Sequence, residues 1–215
     1  MYDLSIIGAG WAGFNAALRA KSLGLKVALI EESLIGGTCL NSGCIPTKTL
    51  VQSVKILEET RKAKSFGIEI NAFPLVNFLE IQSRKERIIQ QLRQGMESRL
   101  SGIDFLRGHA EIIDNQRIRT PDKEIQTKYV LLAVGSRAFE LPGFPFDGKK
   151  IVSSEQILNL TKIPESLLII GGGVIGSEFA QIFSSLGSKV TLVEIMDQLL
   201  PGVDKEIARK LETIF

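Results

Sequence analysis

Two cysteines occur in 215 residues, with four residues between them, in the stretch "GGTCLNSGCIPTK" that runs from Gly36 to Lys48. A close thiol pair can be a redox disulfide, half of a metal site, or an accident of a loop. Structural zinc usually takes four ligands, and the chain adds to Cys39 and Cys44 only a single histidine, His109, so zinc is disfavoured. On an ideal helix, residues i and i+5 have Cα atoms about 8–9 Å apart, against roughly 4.4–6.8 Å for a disulfide. If the two bond, Cys39 must lie on an irregular turn and Cys44 in the first turn of the helix that follows. Pro46 suits such a first turn, where a missing N–H is no loss. A thiol at a helix N-terminus is more acidic than usual, and a bridge in so small a ring is reducible. The spacing predicts a redox switch.

A second set of residues repeats. "LSIIGAGWAGFNAALRAKSLGLKVALIEE" from Leu4 and "LLIIGGGVIGSEFAQIFSSLGSKVTLVEI" from Leu167 align without a gap. Gly8, Gly10 and Gly13 fall on Gly171, Gly173 and Gly176, and Glu31 falls on Glu194. Each copy reads as an apolar strand, a glycine turn, a helix and a second strand ending in an acid. The first glycine makes the turn, the second admits a pyrophosphate to the backbone, and the third lets helix and strand pack closely. The helix N-terminus offers free N–H groups to the phosphates, and the acid can accept the two hydroxyls of a ribose. The pattern predicts two dinucleotide sites, the second built from Gly171, Gly172, Gly173, Val174, Ile175, Gly176, Ser177, Glu178 and Glu194. No Arg or Lys lies between Glu194 and Lys205, so a 2′-phosphate would meet a carboxylate without a cation. The second site therefore favours NAD over NADP.

The elements between these residues follow from periodicity. Residues 49–66 and 75–100 read as helices, and short strands run from Ile103 to Val134 with "TPDKE" as a turn. "ELPGFPFDG" (140–148) is a linker. The expected fold is α/β, two Rossmann-like dinucleotide-binding domains, both apparently incomplete: residues 1–143, a linker over 144–163, and residues 164–215. After Glu194 only one helical pattern, "DKEIARKLETIF", follows, fewer elements than a doubly wound sheet needs.

Bulk composition narrows the setting. The chain is 44% hydrophobic and 23% charged with a formal charge of +2, so nothing points to nucleic acid. "MYDLSIIGAG" lacks the basic start of a signal peptide, and runs such as "YVLLAV" are too short to span a bilayer. A cytoplasmic chain with no membrane role is expected, and in that compartment a close cysteine pair does chemistry more readily than stapling. His109 reads as structural.

With these residues in view, "GGTCLNSGCIPTK" resembles the active-site motif of the pyridine nucleotide–disulfide oxidoreductases, the flavoprotein family of dihydrolipoamide dehydrogenase, glutathione reductase and mercuric reductase. "LLAVGS" (131–136) and "GGGVIGSE" (171–178) extend the likeness along the chain. Leu40 and Ile45 are most similar to the dihydrolipoamide dehydrogenase branch. Thr47 stands where that branch more usually has serine, and Trp11 where relatives often carry proline or a small residue. The resemblance implies FAD at the first fingerprint, held by Gly8, Gly10, Gly13, Glu31, Gly37, Thr38 and Lys48, with further contacts at Ala110, Ala133, Gly135 and Ser136. It implies that Cys39 is the exposed thiol that exchanges with the substrate disulfide, that Cys44 contacts the flavin, and that Lys48, one turn beyond Cys44, pairs with Glu178 near the nicotinamide. The implied reaction is dihydrolipoamide plus NAD⁺ to lipoamide plus NADH. The implied partners are the lipoyl group of a 2-oxoacid dehydrogenase or glycine cleavage carrier protein and, for the complete protein, a second copy in a homodimer. The resemblance also implies a protein more than twice as long, whose missing part supplies a histidine base across the dimer. A mercuric or glutathione-type reductase, or a non-catalytic flavin-binding fragment needing a second polypeptide, are the competing readings.

Overall fold

Strand β1 (Tyr2–Ile7) is followed by helix α1 (Trp11–Ser22) and strand β2 (Val27–Glu31) in the computed structural model, which describes residues 1–72 and 74–215. The first four residues of β2, "VALI", are all buried, as expected for the middle of a parallel sheet covered on both faces. The alanine-rich α1 buries Gly13, Phe14, Ala17 and Ala20, one helical stripe. A short helix α2 (Gly37–Asn41) and a long helix α3 (Cys44–Lys62) come next, then a single 3₁₀ turn over Ala63–Phe66 and helix α4 (Phe78–Ser98). Strands β3 (Asp104–Arg107), β4 (Glu111–Asp114), β5 (Arg117–Arg119) and β6 (Glu124–Leu132) complete a sheet of order β3-β2-β1-β6-β5-β4. Its β3-β2-β1-β6 part is parallel and its β6-β5-β4 part antiparallel.

The repeat returns as strand β7, which follows the short helix α5 (Ser154–Ile157) and spans Ser166–Ile170, then helix α6 (Val174–Ser185) and strand β8 (Lys189–Val193). The two strands are parallel neighbours, Ser166 opposite Lys189 through Ile170 opposite Val193. Helix α6 buries Phe179, Ala180, Ile182 and Phe183, and the Phe179 and Phe183 rings lie 6.3 Å apart and tilted. Helix α7 (Lys205–Glu212) closes the chain, its start capped by Asp204, whose carboxylate accepts from the Glu206 and Ile207 amides. This is the α/β architecture expected, with two parallel strands in the second repeat.

Contacts divide the chain into two compact units, one of residues 1–46 and 87–153, the other of residues 47–86 and 154–215. The first has a core of Ile6, Phe14, Leu29, Leu40, Ile89 and Met96 with their neighbours.

Two expected boundaries move. The first long helix begins at Cys44, not at residue 49, because Pro46 fits inside the first turn; its last residues, 63–66, tighten into the 3₁₀ turn, closed by Gly67 at φ 77°. The second helix spans 78–98 rather than 75–100.

Candidate functional site

Gly8 turns the chain from β1 into α1 at φ 101°. Its amide bonds to the Ile30 carbonyl at 2.8 Å, and the neighbouring Ala133 amide bonds to the Ile7 carbonyl at 2.8 Å. A side chain at Gly8 would run into the Ala133 carbonyl, and one at Gly13 into the Gly8 carbonyl. The expected FAD residues Gly8, Gly10 and Gly13 therefore share one end of the sheet with the Ala133–Ser136 turn. Gly10 pairs with Gly36, and a Cβ on Gly37 would lie 2.8 Å from the Gly10 Cα, so the start of α2, with Gly37 and Thr38, abuts the start of α1. The Gly108 amide bonds to the Glu31 carbonyl at 2.8 Å, which brings the strand end before Ala110 to the same edge.

Glu31 ends β2 with its carboxylate fixed. One oxygen accepts from the Ala9 amide at 2.7 Å and the other from the Ser33 amide at 2.8 Å. A carboxylate oxygen has two lone-pair sites, so each keeps one for a ribose hydroxyl. The N-cap of α1 is Gly10, which leaves the first-turn amides without a side-chain cap, open to a phosphate. These residues fit the adenosine and pyrophosphate of FAD.

The second fingerprint reproduces this geometry. Gly173 caps α6 with the same dihedrals as Gly10, φ −68° and ψ −175°, and a Cβ on Gly176 would strike the Gly171 carbonyl. Glu194 accepts from the Gly172 amide at 2.6 Å and from the Met196 amide at 2.9 Å. These backbone N–H groups hold the Glu194 carboxyl below its ordinary range, so it is an anion wherever the protein works. Ser177 is buried with its hydroxyl on the Gly172 carbonyl, while Val174 and Ile175 stand exposed on the first turn. Lys48 on α3 and Glu178 on α6 form an ion pair, Nζ to Oε1 2.6 Å.

Both cysteines are free thiols, and the expected exposure is reversed: Cys44 is exposed and Cys39, next to the core residue Leu40 in α2, is half-buried. The irregular turn expected at Cys39 is a short helix instead: Cys39 is the third residue of α2, and the break falls after it, at Ser42 and Gly43. Gly43 permits the break, since a Cβ there would meet the Thr38 carbonyl at 2.9 Å. Leu40, at 1% exposure, anchors α2 in the core. Burial pushes the Cys39 thiol above its ordinary pKa, and the neighbouring Cys44 side chain adds to this. The two cysteines flank the α2–α3 junction, Cys39 in α2 and Cys44 at the head of α3.

A model of the pyridine nucleotide-disulphide oxidoreductase family matches residues 2–215. The chain belongs to that family. Among curated relatives, it is 44% identical over 213 residues to a dihydrolipoyl dehydrogenase of Bacillus subtilis (strain 168), covering 96% of this chain and 46% of the relative. It is 39% identical over 212 residues to a dihydrolipoyl dehydrogenase of Acholeplasma laidlawii, covering 96% and 63%. Among solved structures it resembles the HOCl-induced flavoprotein disulfide reductase RclA from Escherichia coli, with a TM-score of 0.84 and 35% identity over 99% of this chain and 46% of that one. The chain therefore spans about half the length of most of these relatives. FAD, expected from the resemblance, and NAD(H), expected from the second fingerprint and its acid, are the cofactors of this oxidoreductase family.

Sequence reasoning missed the clamp on α2. The Asn41 amide group donates to the Ile35 and Gly37 carbonyls, each at 3.0 Å, while its oxygen accepts from Arg93 Nη2 at 2.7 Å and Nε at 3.2 Å. Asn41 lies inside the cysteine motif and was open to suspicion, whereas Arg93 on α4 carries no local signal. His109 bonds through Nδ1 to Glu32 at 2.8 Å on the surface.

Proposed function

We propose that this chain is the FAD- and disulfide-bearing part of an NAD-linked dithiol/disulfide oxidoreductase acting as a dihydrolipoyl dehydrogenase. The observation that carries the reading is the pair of cysteines flanking the α2–α3 junction, beside a fingerprint whose acid and helix terminus are shaped for a dinucleotide. The 44% identity to a dihydrolipoyl dehydrogenase supports the choice of substrate. The domain assignment that goes with it is FAD binding over residues 1–143, a linker over 144–163 and NAD binding over 164–215, in a cytoplasmic protein. No helix among the described residues is long and apolar enough to cross a membrane.

FAD, when bound, supplies the two-electron path between the dithiol and the nicotinamide. The chain's own residues do the rest. In the oxidised state Cys39 and Cys44 form a disulfide, and one thiolate of dihydrolipoamide attacks the Cys39 sulfur, forming a mixed disulfide and releasing Cys44 as a thiolate. The second substrate thiolate then attacks its own partner sulfur, releasing Cys39 and closing the lipoamide ring; the substrate's two protons leave to solvent or a base. Glu31 and Glu194 would orient the two riboses, the α1 and α6 N-termini would hold phosphates, and pairing with Glu178 would hold the Lys48 ammonium in place for the cofactor. The lipoyl group of a 2-oxoacid dehydrogenase or glycine cleavage carrier, and a homodimer of the complete protein, are the partners this reading carries.

The likeness to a flavoprotein disulfide reductase favours one second reading, reduction of another disulfide at the expense of a reduced nucleotide. The test is turnover of the chain joined to the remaining family length. Dihydrolipoamide oxidation with NAD⁺ supports the first reading; reduction of glutathione disulfide without lipoamide turnover would replace it with the second.

A further inference from the structure

Helix α2 has only five residues, and a helix that short does not hold itself together. Its N-cap, Gly36 at φ 102°, makes no side-chain cap bond, so the hold comes from the other end. Leu40 is sunk in the core, and next to it the Asn41 amide group donates to the Gly37 and Ile35 carbonyls, each at 3.0 Å, and to the Leu34 carbonyl at 3.4 Å. That one side chain stitches the last residue of α2 to its first residue and to the loop before it. The Asn41 oxygen accepts two donors of a single half-buried guanidinium, Arg93 Nη2 at 2.7 Å and Nε at 3.2 Å. An amide turned the other way would point N–H groups at N–H groups. Arg93 therefore decides which way Asn41 faces, and so which carbonyls it can hold. Cys39 lies two residues before Asn41 in the same short helix, and Cys44 lies just beyond its end, at the head of α3.

We propose that Arg93 is a positioning residue for the dithiol: acting through Asn41, it holds α2, and with it the Cys39 backbone, where Cys39 and Cys44 can close to a disulfide. The inference rests on the redox reading of the pair for its functional meaning. A disulfide accepts only a narrow range of Cα separations, roughly 4.4–6.8 Å, so closure depends on how firmly α2 is kept in place. A clamped α2 has little freedom left to lose when the bond forms. A released α2 must lose that freedom on closing, which favours the open dithiol. The ring from Cys39 to Cys44 contains the same number of residues in any Arg93 variant, so a changed equilibrium reads placement and not loop length. Lysine at position 93 keeps the charge but lacks the planar fork that sets two donors on one oxygen.

The test is a thiol–disulfide equilibrium. The 215-residue chain is equilibrated with mixtures of reduced and oxidised dithiothreitol, free thiols are trapped with iodoacetamide, and the disulfide fraction is read by mass. Each closure forms the Cys39–Cys44 bond, opens the ring disulfide of the reagent, and passes two electrons and two protons to it. Arg93→Met should make the disulfide about tenfold easier to reduce, a rise of about 30 mV in potential, and Arg93→Lys should shift it by less. In a chain already carrying Asn41→Ala, Arg93→Met should add nothing, because its effect runs through that amide. A merely structural role would lower the melting temperature and leave the equilibrium of the folded chain where it was. An unchanged equilibrium in folded Arg93→Met overturns the proposal, as does an equal shift with Asn41 already replaced. Where Arg93→Met does not fold, Arg93→Lys is judged by the same two criteria. A disulfide that forms equally well in every variant overturns this proposal alone, whereas an unsubstituted chain that forms none in any mixture overturns the redox reading and this proposal with it.

Discussion

A cysteine reacts as its thiolate, so its surroundings decide when it reacts as much as its chemistry does. Cys39 is half-buried and its thiol is pushed up, while Cys44 is exposed at the head of α3. In the chain without flavin, alkylation at neutral pH should therefore reach Cys44 before Cys39. With FAD bound over Cys44 the order should reverse, and peptide mass mapping after a short pulse of iodoacetamide reads both cases; Cys39 modified first in each would sink this assignment. The pH dependence of stability has a definite sign. A raised folded pKa means that the neutral thiol's contribution is complete below the unfolded pKa and is lost as pH rises through the folded one. In the completed protein, Cys39→Ser should keep FAD and any long-wavelength absorption arising from the Cys44 thiolate, Cys44→Ser should keep FAD and lose that band, and both should lose lipoamide turnover.

At the scale of elements, each βαβ repeat depends on a backbone contact that no side chain can replace. A methyl group at Gly13 would overlap the Gly8 carbonyl, and one at Gly176 the Gly171 carbonyl. Forced shifts of this kind cost on the order of 1–3 kcal/mol. Gly13→Ala should lower stability by about that much and release FAD, and Gly176→Ala should do the same to nucleotide binding by the second repeat. Gly95, exposed on α4 with open space around its would-be Cβ, is the control; Gly95→Ala should stabilise by about 0.5–1 kcal/mol. Thermal melts with and without nucleotide separate the two effects. The end of β8 carries the cofactor choice. Glu194 should make NADH bind better than NADPH, and Glu194→Ser should narrow the difference in calorimetric affinities; equal affinities in the unsubstituted chain would overturn this. Because the Glu194 pKa is lowered, the preference should persist as pH falls through the ordinary carboxylate range and fade only below it.

For the whole molecule, the exposed apolar surface matters most. Strand β6 pairs with β5 only over Glu124–Gln126, so residues 128–132 have no strand on that side among the described residues. Tyr129, Leu132 and Val134 are 71%, 64% and 69% exposed. In the second unit, alternate residues Leu168, Ile170 and Val193 of β7 and β8 are also exposed, one face of a sheet that α/β proteins cover on both sides. Open strand edges and apolar faces favour association. The 215-residue chain alone should self-associate and fail to turn over lipoamide. Co-expression with the C-terminal half of the Bacillus subtilis relative should give a soluble yellow complex, scored by size exclusion and flavin absorbance. A monomeric, active 215-residue chain would show that these faces need no cover.

The sequence alone determined the two βαβ repeats and singled out the candidate site residues, because glycine spacing, strand-to-acid distance and the cysteine motif are local constraints that the backbone must satisfy wherever it folds. It placed Gly13 on Gly176 and Glu31 on Glu194, and the structure gives those pairs matching contacts. Helix ends were less legible: α3 starts at Cys44 because a proline is neutral in a first turn, and the balance between α2 and an irregular turn at Cys39 depends on Leu40 finding the core. Only tertiary structure decided what surrounds each sulfur. Arg93, far along the chain, grips Asn41, and the contact between Gly10 and Gly37 sets the start of α1 against the start of α2. Both follow from how the first unit folds back on itself, and no spacing in the sequence encodes a distance between residues that meet only after packing.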